Sequence, residues 1–122
     1  MTKSSNYRQI IKKLLTGYYE MAVQGSINLN KIELDKLETD ERLAFDEERD
    51  QYLWFCSGWE GKNRVRHINM YLQIKDSKIW VEEDNTDLWV VDDLLAAGIP
   101  KQDIVLGFHH PSKRAFTEFA PV

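Results

Sequence analysis

The sequence predicts an α+β domain. An N-terminal helix packs on a mainly antiparallel sheet of about five strands, and a second helix precedes the last strand. Three observations lead there. Apolar residues recur at three- and four-residue spacing over the first two dozen positions. From Glu41 the period changes to two, and strand-like segments alternate with short polar turns. A further helical segment, closed by Gly98 and Pro100, then precedes one more apolar run at Ile104. With 122 residues the chain is read as a single domain, 1–122, long enough for one core.

The first helix has an N-cap and capping-box pattern in Asn6 and Gln9. Tyr7, Ile10, Ile11, Leu14, Leu15, Tyr18 and Tyr19 fall on one face, which reads as a core stripe. Gly25 is a natural residue just past a helix end, so the helix is expected to stop near Gln24. Residues 26–40 fit neither period and read as an acidic connector with a few apolar anchors.

"ERLAF" is expected as a short strand, with "DEERD" as its turn. "QYLWFCSGW", residues 51–59, is almost wholly apolar or small and is expected to be a central strand covered on both faces. After the turn "EGKN", residues 64–75 alternate, with Ile68, Met70, Leu72 and Ile74 on the buried side and Asn69, Tyr71 and Gln73 on a wetter one. "DS" is a two-residue hairpin loop and "KIWVEED" the returning strand. Asp87 is the expected N-cap of the second helix, with Leu88, Val91, Leu94 and Leu95 on its inner face. "IVLGF" follows as a strand that joins in parallel or at an edge, and Pro111 and Pro121 limit regular pairing in the tail.

Composition narrows the function classes. Fourteen aromatic residues supply apolar mass that disordered chains lack. No window approaches the roughly 18 apolar residues of a membrane span, and the N-terminus lacks a signal-peptide layout, so a cytoplasmic protein is expected. Cys56 is the single cysteine, which excludes an intrachain disulfide and a cysteine-built zinc site. Net charge is −4, with nine acids against four bases in residues 31–50. There is no block of clustered Lys and Arg, so weak or no stand-alone duplex DNA binding is expected.

The motifs that carry chemistry are sparse. His109 and His110 are adjacent, and neighbours in an extended segment point to opposite faces, which makes them poor co-ligands for a metal. Glu82, Glu83, Asp84 and Asp87 read as a solvated strand end and a helix cap. A restriction-type nuclease needs an acid where Gln73-Ile74-Lys75 has an amide. The glycines form no phosphate loop, and Ser57-Gly58 lacks a nucleophile elbow. No catalytic, cofactor or metal residues are therefore assigned. Lys62, Arg64 and Arg66 alternate at a strand entry beside Trp59 and make a modest basic-aromatic patch. Its bland alternative is cross-strand pairing with Glu82 or with the acids of 40–50.

Three ordered blocks then carry a resemblance: "NYRQIIKKLLTGY", "GWEGKNRVRHINMYLQIKDSKIWV" and "LLAAGIPKQDIVLGFHHPSKRAFTEFA". Together they resemble the XisI family, the fdxN-element excision controlling factors of cyanobacteria. The resemblance implies a biological role rather than a chemistry. Such proteins accompany programmed excision of a DNA element during heterocyst differentiation. They work beside a site-specific recombinase and a companion, XisH, that resembles restriction-type nucleases. No catalytic residues are carried over. The family's His-Pro-Pro after Gly-Phe stands here as His109, His110 and Pro111, and its Asp-Gly-Thr-Glu turn as Asp84 to Asp87. Gly107, Phe108, His109, Pro111 and Arg114 are thus expected to form a shaped corner that is structural or partner-facing.

Three readings follow. The first is a non-enzymatic accessory factor that binds an XisH-like protein and a recombinase. The second is direct DNA binding through Lys62, Arg64 and Arg66, with Lys113 and Arg114. The third is an uncharacterised hydrolase built on the histidines. Exposed aromatics on the strand meander would favour a homodimer.

Overall fold

The computed structural model describes residues 2–25 and 37–122, with side chains of the second block from Asp40 onward. Of the expected connector 26–40, residues 26–36 lie outside the described residues, and Leu37–Asp40 belong to the first strand, which starts four residues before Glu41. Helix α1 spans Lys3–Val23. Strands β1 (Leu37–Asp46), β2 (Gln51–Glu60), β3 (Asn63–Lys75) and β4 (Lys78–Asp84) follow as an antiparallel meander. Helix α2 (Val90–Ala96), a 3₁₀ turn (Lys101–Asp103), strand β5 (Ile104–Leu106) and a short helix α3 (Pro111–Arg114) complete the chain. The sheet order is β1-β2-β3-β4-β5, and β5 runs parallel to β4 at the edge.

Helix α1 starts earlier than Asn6. Thr2 is the N-cap and its hydroxyl accepts from the Ser5 amide at 3.1 Å. A threonine hydroxyl closes an orphan N–H as well as the asparagine would, and it adds a turn to the helix. The C-terminus is as expected, with Gly25 at φ +72° after Gln24. Tyr7, Ile11, Leu15 and Tyr18 are the fully buried line of α1. They lie on Tyr52, Trp54, Met70 and Leu72 of the sheet, and the rings of Tyr18 and Trp54 are 6.0 Å apart.

The turns obey their chemistry. Asp76 and Ser77 both have positive φ, 54° and 61°, which is what a two-residue hairpin loop needs to match strand twist. Asp46 closes the β1–β2 turn by accepting from the Glu48 and Arg49 amides. Helix α2 is capped by Asp84 and not by Asp87. Asp84 Oδ2 accepts from the Val90 amide at 2.8 Å, and Oδ1 holds the Thr86 hydroxyl at 2.7 Å. The chain reaches the helix through Trp89 in a left-handed conformation (φ 52°), which takes Asp87 out of capping position. Gly98, at φ +94°, closes α2.

Two expectations about the sheet are corrected. Strand β2 lies inside the sheet, paired with β1 and β3, but among the described residues it is not covered on both faces: Tyr52, Trp54 and Cys56 are buried while Leu53 and Phe55 are only half-buried. A continuous apolar run shows that both faces are apolar, but not that a second layer exists to cover them. Strand β3 does not alternate throughout. Trp54 pairs with Met70 and Phe55 with Ile68, so Asn69 is an extra, bulged residue. The bulge buries Asn69 completely and sends Ile68 to the face opposite α1.

Both α1 and α2 sit on one face of the sheet. Among the described residues, the opposite, outer face is covered only at its β4–β5 end. There Trp80, Val105 and Ala120 form a small separate cluster. No described helix is long and apolar enough to cross a membrane.

Candidate functional site

Cross-strand pairing places two features on the outer face. Arg64 pairs with Trp59 and Arg66 with Ser57, so both arginines point away from the helices. Arg42 pairs with Phe55 on the other side of β2 and joins them. Between these arginines lies an open hollow of about 660 Å³ floored by Leu53, Phe55 and Ile68. Lys62 sits in the β2–β3 turn beyond the hollow's lining.

The expected neutralisation of this patch does not occur among the described residues. Arg64 stacks over the Trp59 ring at 5.0 Å instead of meeting an acid. Arg42 lies 3.7 Å from Asp40, with both side chains more than half exposed, a geometry in which water screens most of the attraction. Glu82 is engaged elsewhere, accepting from Gln73 Nε2 at 2.7 Å. Sequence reading missed Arg42 because it sits inside the acidic stretch 31–50. On β1 it shares its face with Asp40, and only pairing with β2 brings it beside Arg64 and Arg66.

The corner after β5 is tightly built. Arg114 Nε donates to the His109 carbonyl at 2.9 Å and Nη2 to the Gly107 carbonyl at 3.3 Å. The same guanidinium covers Trp80 at 5.1 Å, and Lys75 Nζ lies 4.9 Å from that ring's centre. A β-carbon on Gly107 would stand 2.8 Å from Glu82 Oε1, so a side chain there would collide with that carboxylate. Pro111 opens α3, where its missing N–H removes no bond. His110 is the cap of that helix: its Nδ1 accepts from the Ser112 amide at 3.2 Å. Histidine here takes a hydrogen-bonding role that proline could not. Phe108 is exposed, with its ring 4.5 Å from His109 and 6.4 Å from Trp89. Gly107, His109, Pro111 and Arg114 thus shape the corner, and Phe108 is what it presents to solvent.

On the helix side, β2–β3 pairing brings together a group that spacing could not reveal. Cys56 Sγ lies 3.0 Å from His67 Nε2. Glu41 accepts from Trp54 Nε1 at 3.0 Å and from Asn69 Nδ2 at 3.1 Å. Burial, with the Glu41 charge adding to it, pushes the Cys56 thiol up to about 11. Burial also raises the Glu41 carboxyl, against the pull of its two donors and of His67. A nucleophilic cysteine needs a lowered pKa, so the arrangement favours an inert thiol. Among the described residues no three of His, Cys, Asp and Glu come together as metal ligands.

Comparison with known proteins agrees with this fold. The XisI protein family matches residues 1–121, a span that takes in the connector. The structure of fdxN element excision controlling factor XisI from Anabaena variabilis is 50% identical and superposes with a TM-score of 0.80, covering 99% of this chain and 100% of that one. An XisI-like protein from the same organism is 34% identical, with a TM-score of 0.78 over 95% of this chain and 96% of that one. No curated protein matches the chain. At half-identity over its whole length, with the same helix-on-meander architecture, the chain belongs to the XisI family.

Proposed function

We propose that this chain is a non-enzymatic accessory factor in site-specific excision of a DNA element, acting by binding protein partners such as an XisH-like protein and a recombinase. The observation that carries this reading is the outer sheet face: apolar side chains only half-buried beside three arginines, with no second layer among the described residues. Such surfaces are characteristic of protein interfaces, where arginine and aromatic residues are enriched. The family relationship supplies the biological setting. In size-exclusion chromatography at micromolar concentrations, the chain and an XisH-like protein should co-elute. Separate elution would refute the choice of partner.

One observation favours a second reading, direct DNA contact. Arg64 stacked on the exposed Trp59 is a basic-aromatic pair of the kind that meets nucleic acid. Arg114 does not serve this reading, because the corner holds it. A mobility shift at low salt that disappears steeply as salt rises would support DNA contact, and no shift would exclude it.

A further inference from the structure

The hollow on the outer face has a chemistry that goes further than a generic partner surface. Its rim carries Arg42, Arg64 and Arg66, its floor is Leu53, Phe55 and Ile68, and Glu83 is the one acid among the described residues that line it. Its volume of about 660 Å³ lies within the range of concave binding sites, roughly 300–1,000 Å³. We infer that this hollow binds an acidic peptide segment of a partner, with bulky apolar side chains on the floor and flanking carboxylates on the arginines.

The inference rests on the accessory-factor reading and states the partner chemistry for that same surface. Charge complementarity sets the occupant's sign. Arg42 lies 3.7 Å from Asp40, but Arg64 and Arg66 meet no acid among the described residues, and a guanidinium's planar fork matches a carboxylate with two parallel hydrogen bonds. The floor sets the second requirement. Leu53, Phe55 and Ile68 gain from an occupant that brings apolar groups, which a phosphate backbone does not. The chain's net charge of −4 also opposes approach to a long polyanion more than to a short acidic peptide. Peptide is therefore favoured over nucleic acid.

The test uses the full chain and a short synthetic peptide in which Asp and Glu alternate with Leu and Phe. Calorimetry gives the affinity, and Trp59, stacked under Arg64 at the rim, is one of four tryptophans whose fluorescence can follow binding. Saturable binding is expected. It should weaken at least about tenfold in the Arg64→Glu, Arg66→Glu double variant, because opposite charge becomes like charge across the contact. Both arginines are exposed, so the variant should keep the wild-type circular dichroism and melting temperature. Raising salt from about 50 to about 300 mM should weaken binding several-fold. The inference is overturned if the peptide does not bind. It is also overturned if a version with Ser at every apolar position binds equally, or if a short mixed-sequence duplex binds more tightly and displaces the peptide. The two readings separate cleanly. Equal co-elution of an XisH-like protein with wild type and with the double variant leaves the accessory reading standing and removes the hollow. Peptide binding without co-elution keeps the hollow and removes that partner.

Discussion

A side chain at Gly107 would have to displace the tip of Glu82. The obstacle is Glu82 Oε1, 2.8 Å from where a β-carbon would stand, and Glu82 is anchored by Gln73 at 2.7 Å. A flexible carboxylate could swing aside in open solvent, but here it would have to give up that bond. Gly107→Ala is expected to destabilise the fold by about 0.5–1.5 kcal/mol, the worth of the one hydrogen bond that the carboxylate gives up. Adding Glu82→Ala should recover most of the loss, and the two changes should be strongly non-additive in denaturant melts. Simple additivity would show that Gly107 is needed for another reason. The Gly-Phe-His stretch thus has a steric constraint at its first position. His110 has a polar one, as the acceptor that caps α3.

Among the elements, the segment after β5 depends most on a single side chain. Arg114 ties the Gly107 and His109 carbonyls and covers Trp80, while the Ala120 amide returns to the Ile104 carbonyl at 2.9 Å. The tail therefore closes the outer face at the β4–β5 edge, and no described residue covers it over β1–β3. Arg114→Ala removes two hydrogen bonds and one ring contact, a loss of about 1–3 kcal/mol. The expected signature is faster amide exchange over residues 107–120 with β1–β3 unchanged, since local opening is confined to the unit that lost its tie. Unchanged exchange in the tail would mean that Ala120 pairing alone holds it.

For the molecule as a whole, α1 is joined to the turns around the sheet by charge as well as by its apolar line. Arg8 meets Asp50 at 2.6 Å, Lys3 meets Asp103 at 2.7 Å, and the Tyr18 hydroxyl donates to Asp93. The Arg8 guanidinium holds the Asp50 carboxyl below the usual carboxylate range. Burial works against ionisation of Asp103, but Lys3 and Tyr7 outweigh it and hold that carboxyl low as well. A carboxylate with a lowered folded pKa contributes stability that is fully present above its unfolded value, about 3.9, and is lost as pH falls through the folded value. The urea midpoint should therefore hold steady near neutrality and drop below about pH 4. Asp50→Asn should flatten that acid limb and lower stability at pH 7. A variant whose stability parallels wild type at every pH would remove Asp50 from the account.

The sequence by itself determined the first helix, the four meander strands, helix α2, the hairpin turns and the family, but it ran β5 on to Phe108 and gave no sign of α3. The elements it determined follow from local causes: apolar period, φ-permissive residues at turns, caps and helix-stopping residues. Even the edge position of β5 was among the alternatives that helix α2 allowed. Tertiary structure alone decided which apolar faces would be covered. "QYLWFCSGW" is apolar on both sides, and only the placement of α1 and α2 on the same face leaves Leu53 and Phe55 half-buried. It also decided which charges meet. Arg42 lies 22 residues before Arg64 in an acidic stretch, and β-pairing alone sets them around one hollow. Cys56 and His67 came together for the same reason, across a register that the Asn69 bulge controls. Period and capping act over a few residues, whereas coverage and charge partnership depend on contacts between segments that are distant in the chain.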